Sequence, residues 1–459
     1  MTRVFRLTIL IAVVICTWVD KQSAHADAAT STSAAPMAAS AAPIAVSANT
    51  VPIASAAGGI PDGTRITVQN WQQYRQFMPD GMAAFFEGRY FWKMPADVAM
   101  DVGPTMIHPL PKGYVEATEK YASQVKIVEL PGGGLTLEGY QGGIPFPNPQ
   151  EPHKGWKILA NLWFRYEPHL TVNLSGNGCA ISRNGSIDCQ AGLVVTQHLA
   201  YNTDPGVAPT IPGSGGKFMT VYYMQTEPEQ LRYYAGVTLT YADLARPEEI
   251  YNFDPTMRRT QRFYVTSARC VDEPGSDQTW EDERMGFDSN LTEYKVDYLG
   301  SKKILALLDY QKPTGKFPDG FDMPLGWPQP SWGKWQLRDV DVISARKIDS
   351  KAGDYCFGKR IMYIDKQIST ALWVELYDKK EQPWRFAAFF PHTENVPGVG
   401  PVNNSSAAVF GFWDLQNDHA TILQNPAEGH ALYINDQAPK QYLDLNTYCD
   451  PAGLDTINR

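Results

Sequence analysis

Charge is densest in two short runs, and these are the first places to look for chemistry. Trp280-Glu281-Asp282-Glu283-Arg284 follows Arg258-Arg259-Thr260-Gln261-Arg262 in the chain. A carboxylate facing an arginine in a cleft could act as acid and electrostatic stabiliser. The same residues on a loop between strands would be solvated ion pairs of little energetic weight. The second reading is the commoner one, so neither run nominates a catalytic residue. His108, His153, His169, His198, His392, His419 and His430 are scattered, and His153 with His169 lack the spacing of metal ligands, so no metal or cofactor is expected. The chain has no H-E-x-x-H, no G-x-S-x-G, no Walker loop and no strand-adjacent G-x-G-x-x-G. Gly132-Gly133-Gly134 runs into strand-like Leu135-Thr136-Leu137 rather than a helix, which fits a tight turn and not a phosphate cradle.

Cysteine and aromatic side chains carry more. Cys179 and Cys189 flank the turn-rich Ser182-Arg183-Asn184-Gly185-Ser186, which predicts a hairpin closed by a disulfide contributing about 2 to 3 kcal/mol. Cys270 with Cys356 is the next pairing and leaves Cys449 single, although the odd count keeps these assignments open. No pair has the C-x-x-C spacing of a redox or zinc site. Aromatic residues fall in or beside predicted strands, often as neighbours aimed at opposite faces. Such a stripe is usually core, but where both faces of a sheet are aromatic one of them can line a pocket for an apolar ligand. Trp92, Trp163, Tyr223, Tyr234, Phe253 and Met257 are the candidate ligand-lining residues.

The elements that must position these residues are mostly strands. The chain holds 23 tyrosines, 37 glycines and 34 prolines, a composition of strands punctuated by turns. Helical spacing is confined to the stretch 60–124: a short helix capped by Asn70, a second from Met82 to Glu87 and a third from Lys112 to Gln124. From Val125 onward the period is two. Ile361–Asp365 with Thr370–Tyr377 reads as a hairpin, and strands are expected at Ile158–Tyr166, Phe218–Gln225, Val237–Tyr241, Glu249–Phe253, Arg262–Thr266, Thr292–Leu299, Trp335–Ala345, Trp384–Phe390 and Ala407–Asp414. Several carry bulky residues on both faces, so both faces must be covered. The economical architecture is mainly β: a large curved antiparallel sheet or half-open barrel wrapped around a few helices.

The start of the chain reads as an export signal, residues 1–26: Arg3 and Arg6, an apolar run from Leu7 to Val19, and Ala24-His25-Ala26 as cleavage site. Ile15 before Cys16 does not suit a lipoprotein signal. Residues 27–59 are nearly all Ala, Ser, Thr, Pro and Val and read as a disordered linker, leaving 60–459 as one large β-rich domain. The formal charge is −9, and loss of the first 26 residues makes the remainder more acidic still, which disfavours nucleic acid.

Several words in a fixed order resemble one exported family, domain of unknown function 1329. They are Phe91-Trp92-Lys93-Met94-Pro95, Val102-Gly103-Pro104-Thr105, Leu110-Pro111-Lys112-Gly113-Tyr114 and Gly139-Tyr140-Gln141-Gly142-Gly143-Ile144-Pro145-Phe146-Pro147, then Glu227-Pro228-Glu229-Gln230-Leu231-Arg232, Pro255-Thr256-Met257-Arg258-Arg259 and Arg360-Ile361-Met362-Tyr363-Ile364-Asp365. The resemblance implies a fold like the outer-membrane lipoprotein carriers, a half-open barrel holding acyl chains. It also implies partnership with a resistance-nodulation-division type transporter and an outer-membrane protein, and it carries over no catalytic residue. The function expected is a periplasmic carrier, free or peripheral to the outer membrane, of a lipid or other hydrophobic small molecule. The alternatives are an envelope enzyme using the Arg258 and Glu281 regions, or a scaffold docking through a sheet edge.

Overall fold

Alternating apolar and polar residues make strands, and here they make one long antiparallel sheet with short elements packed on it. The computed structural model describes residues 59–263, 276–279, 282, 284–311, 315–353, 355–424 and 431–457, without the side chains of 175, 177, 404–407 and 424. The expected signal, the linker up to residue 58, Cys270, Trp280, Glu281, Glu283 and the end of the strand expected to reach Thr266 lie outside the described residues.

In the N-terminal region β1 (Arg65–Thr67) pairs with β2 (Ala99–Asp101), and α1 (Asp80–Glu87) lies between them in the chain. The helix expected after Asn70 is a 3-10 segment, Trp71–Phe77; Asn70 does not cap it, and its Oδ1 accepts the Thr67 N–H at 2.8 Å instead. Helix α2 (Lys112–Tyr121) forms as expected and runs on into the 3-10 turn Ala122–Gln124. Strands β3 (Lys126–Glu129) and β4 (Leu135–Glu138) make a hairpin whose turn holds Gly132 and Gly133 at φ 98° and 89°, so the glycine run is the tight turn.

The stretch from Lys154 to Trp163 corrects the expectation of a strand at Ile158–Tyr166: it is helix α3. Eight of its ten residues are buried, so no polar face betrays the helical period. Its aromatic content mimics a two-faced strand, but Trp156, Leu159, Leu162 and Trp163 recur at helical spacing. Gly155 permits close packing on the sheet, since a Cβ there would stand 2.8 Å from the Val296 carbonyl oxygen.

Two meanders follow. Strands β5 (Leu170–Ile181), β6 (Ile187–His198), β7 (Lys217–Glu227), β8 (Ala235–Tyr241), β9 (Glu249–Asp254) and β10 (Arg259–Phe263) pair in sequence order; this half is termed the wing. The second meander, the body, comprises β11 (Tyr294–Leu307), then, after a small excursion through β12 (Phe321–Asp322) and β13 (Trp327–Pro328), β14 (Trp335–Lys347), β15 (Phe357–Asp365), β16 (Ala371–Asp378), β17 (Pro383–Val396), β18 (Gly400–Asp414) and β19 (His419–Gln424). Antiparallel pairing of β19 with β5 fuses wing and body into one 14-stranded sheet that includes β20 (Leu432–Ile434), itself paired to β5. A short helix, α4 (Leu445–Tyr448), lies near the C-terminus.

Each side of the sheet has its own cover. On the front of the body, Ile343, Met362, Val374, Ala387 and Phe412 stand in one register row and pack against Trp156, Leu159, Leu162 and Trp163 of α3. On its back, Trp373, Phe386 and Trp413 receive Phe85 of α1, which meets all three rings edge-on together with Trp327. The back of the wing, with Val172, Val195, Tyr222, Val237 and Tyr251 in one row, is covered by Ala438, Tyr442 and Leu454 from the C-terminal segment. The helices thus lie on both sides of the sheet, with α3 on the front of the body and α1 on its back.

Candidate functional site

The front of the body is sealed, besides α3, by residues 276–279, 282 and 284–290, and the seal is ionic. Asp277 accepts a hydrogen bond from Thr421 Oγ1 on β19 at 2.8 Å, and Arg385 donates to its carbonyl at 2.9 Å. Asp282 pairs with Arg360 of β15 at 2.8 Å with both side chains at most 2 % exposed. Gly286, at φ 83°, sits so close to Val374 that a Cβ would lie 2.7 Å from its Cγ2. The described members of the 280s cluster, Asp282 and Arg284, are therefore buried fasteners rather than solvated ion pairs. Arg258 lies on the exposed turn between β9 and β10, and no ion pair ties it to Asp282.

The front of the wing is built differently. One register row reads Asn173, Val194, Tyr223, Gly236, Asn252 and Gln261; the next reads Thr171, Thr196, Val221, Thr238, Ile250 and Phe263. Neutral polar side chains alternate with apolar ones, and Val194, Val221, Tyr223 and Phe263 are only half-buried. Gly236 lets the Tyr223 ring lie flat across β8, a Cβ there being 2.5 Å from the ring. Tyr223 thereby reaches Asn252, donating to its Oδ1 at 2.8 Å, while the amide Nδ2 donates to the Tyr234 oxygen at 3.3 Å.

At the opposite end of the same face, His198, Met219 and Thr240 share a row. Here the chain leaving α3 turns past the wing, and Tyr140, Phe164, Tyr201 and Phe218 form a ring cluster, with Tyr140 and Phe164 centroids 4.2 Å apart. Between these rings and His198 is a cavity of about 20 Å³, also lined by Tyr114, Arg165, Tyr166, Glu167 and Asp204. That is room for roughly one water-sized group and not for an acyl chain. Burial, reinforced by Arg284 and Arg165, depresses the His198 imidazole well below its ordinary range, so it is neutral. Burial alone would raise Asp204, but hydrogen bonds from His169, Tyr166 and Asn435 outweigh it and hold the carboxyl low.

The six sequence-nominated residues fall in distinct surroundings. Tyr223 and Tyr234 come together through Asn252. Trp92 is fully buried on the back of the body, its indole N–H donating to the Asp414 carbonyl. Trp163 packs inside the front core under Arg284, Phe253 lies on the covered back of the wing, and Met257 is 54 % exposed in the β9–β10 turn. Sequence reasoning missed Gly236, Asn252, Thr240 and His198, whose shared face only strand register reveals. The Cys179–Cys189 disulfide is present, Cys356 is disulfide-bonded, and Cys449 is a buried free thiol. Among the described residues no group of three or more His, Cys, Asp or Glu side chains is placed to hold a metal ion, and no helix is long and apolar enough to cross a membrane.

A family model described as "Protein of unknown function (DUF1329)" matches residues 65–453. The chain belongs to that family. The family resemblance read from the sequence is thus borne out. The DUF1329 chain is similar to three solved structures: a putative outer membrane lipoprotein-sorting protein domain from Vibrio parahaemolyticus (13% identity, 66% of this chain and 99% of that one, TM-score 0.43), a DUF1329 family protein from Desulfovibrio piger (11%, 64% and 98%, 0.42) and a LolA superfamily protein from Nitrosomonas europaea (12%, 64% and 94%, 0.34). No curated protein matches it.

Proposed function

We propose that this DUF1329 chain binds an apolar or amphiphilic small molecule on the front of its wing and carries it through the periplasm. One observation supports the reading above the others. The front of the body is solid with side chains, while the same face of the wing presents half-buried Val194, Val221, Tyr223 and Phe263 among neutral polar groups. A sixteen-carbon chain left in water costs on the order of 12 kcal/mol, at about 0.8 per methylene, so unaided crossing of an aqueous compartment is slow. A protein face that takes up this surface removes most of that penalty. A transporter of the resistance-nodulation-division type or an outer-membrane protein is the exchange partner such a carrier would serve, with the protein free in the periplasm or peripheral to the outer membrane.

The test is solvent extraction and native mass spectrometry of protein purified from cell envelopes, followed by titration with an environment-sensitive apolar dye. A co-purifying lipid, or saturable dye binding weakened at least about tenfold by Val221→Trp, is expected. Protein that carries nothing and binds no dye, or dye binding indifferent to Val221→Trp, overturns the reading.

A further inference from the structure

Three buried polar atoms on the front of the wing have no hydrogen-bond partner among the described residues: His198 Nε2, Thr240 Oγ1 and Gln225 Oε1. His198 is 5 % and Thr240 3 % exposed. Buried polar groups are nearly always partnered, because leaving one unmade costs about 1 to 3 kcal/mol. All three side chains project from the ligand-facing side of the sheet, in rows on either side of Val221 and Tyr223. Gly192 makes room for Gln225: a Cβ there would stand 3.3 Å from Gln225 Oε1. All three atoms are uncharged, and each can accept a hydrogen bond from a hydroxyl.

The small cavity beside His198 adds a second constraint. Its charged lining residues are already matched: Arg165 stands 2.7 Å from Glu167, and Asp204 is engaged by His169 at 3.3 Å, Tyr166 at 2.7 Å and Asn435 at 2.9 Å. An ionised head brought there would be a buried charge without a counter-ion, which costs several kcal/mol. An uncharged hydroxyl is close in size to the water-sized space and finds the imidazole at its wall.

We propose that the wing selects an uncharged lipid bearing a hydroxyl group, with the hydroxyl seated in the cavity against His198 and the hydrocarbon lying along half-buried Val221, Val194 and Phe263. This rests on the carrier reading above and names its ligand class. Neutral partners for neutral side chains, with the charged groups that line the cavity paired among themselves, set the preference.

The experiment displaces one apolar dye from the full exported chain with three ligands of equal chain length: hexadecanol, palmitic acid and hexadecylamine, at pH 7.5. Hexadecanol is expected to displace at concentrations at least about tenfold lower than the other two. His198→Phe should weaken hexadecanol by about three- to tenfold relative to palmitic acid and hexadecylamine on the same variant. Equal potency of alcohol, acid and amine on wild-type protein that binds the dye overturns the hydroxyl preference and leaves the carrier reading standing. Failure of wild type to bind the dye at all overturns both.

Discussion

Wing and body are halves of one antiparallel sheet, yet they use polar chemistry in opposite ways. In the body, buried charges are joined in pairs: Arg338 with Asp365 at 2.7 Å, Arg360 with Asp282 at 2.8 Å and Arg385 with Asp414 at 3.1 Å. Each joins parts of the chain distant in sequence, and one fixes the segment that plugs the front. In the wing, Thr171, Thr238, Thr240, Asn252 and His198 are buried front groups that carry no charge. Ion pairs cost desolvation and tolerate no partner but their own, so they suit a surface that must stay closed. Neutral hydroxyl and amide groups are cheaper to bury and can exchange partners, which suits a surface that receives a guest.

The largest effect that separates the two halves should come from breaking a body pair. Asp282→Ala leaves Arg360 buried without its carboxylate, and a loss of about 3 to 5 kcal/mol in urea-induced unfolding is expected. Thr240→Val in the wing removes a hydroxyl that has no partner among the described residues, so its cost should stay below about 1 kcal/mol. Equal losses from the two would erase the distinction between fastened and receptive faces.

Next in size is the seam. Cys179 on β5 is bonded to Cys189 on β6 and sits in register with Ile422 of β19, so the disulfide lies where wing meets body. Replacing both cysteines with serine should cost about 2 to 3 kcal/mol by relaxing the unfolded chain's constraint. Hydrogen exchange should then quicken in β5 and β6 ahead of β14–β17. Acceleration that begins in the body instead would mean that the wing does not open as a separate unit.

Much of this contrast was legible from the sequence, and the failures have physical reasons. Period-two runs such as Ala371–Asp378 and Ala235–Tyr241 become strands because alternation is all a sheet with two distinct faces requires. The Cys179 hairpin was local, so turn chemistry alone sufficed. Helix α3 was misread because burial on nearly every side leaves no polar stripe; the helical hints were Lys154 and Lys157, three apart, and the spacing of Trp156, Leu159, Leu162 and Trp163. The 280s run looked solvated because its charges are sequence neighbours, whereas the partner that buries Asp282 lies 78 residues on at Arg360. The front face of the wing was half visible. Tyr223 and Tyr234 were nominated for their rings, but Asn252 joins them only through the pairing of β8 with β9, and His198 reaches Thr240's row only through β7. Composition cannot supply register.

The smallest expected effect is a pH slope whose sign differs between the halves. Glu375, on the back of the body, is fully buried at the N-terminus of α1; it accepts the Gly81 N–H at 2.7 Å and the Tyr377 hydroxyl at 2.9 Å. Burial, then the nearby Asp80, raise its carboxyl to about 7 against the pull of Gly81, Tyr377 and Lys302. Its unfolded value is near 4.5, so between about 4.5 and 7 the folded chain holds more protons and stability falls as pH rises. His198 in the wing acts the other way: its folded proton affinity is depressed, so its contribution is lost as pH drops below about 6.5. Glu375→Gln removes the first slope alone. The stability of the variant minus that of wild type should therefore climb with pH across that window, by at most about 1.4 kcal/mol per unit, in paired urea titrations at pH 5, 6 and 7. For His198→Phe the stability of the variant minus that of wild type should instead fall as pH rises over the same range. A flat difference for Glu375→Gln would mean that the carboxyl is ionised throughout. The body's back face would then tolerate an unpaired buried charge, and the distinction from the wing would rest on the Arg–Asp pairs alone.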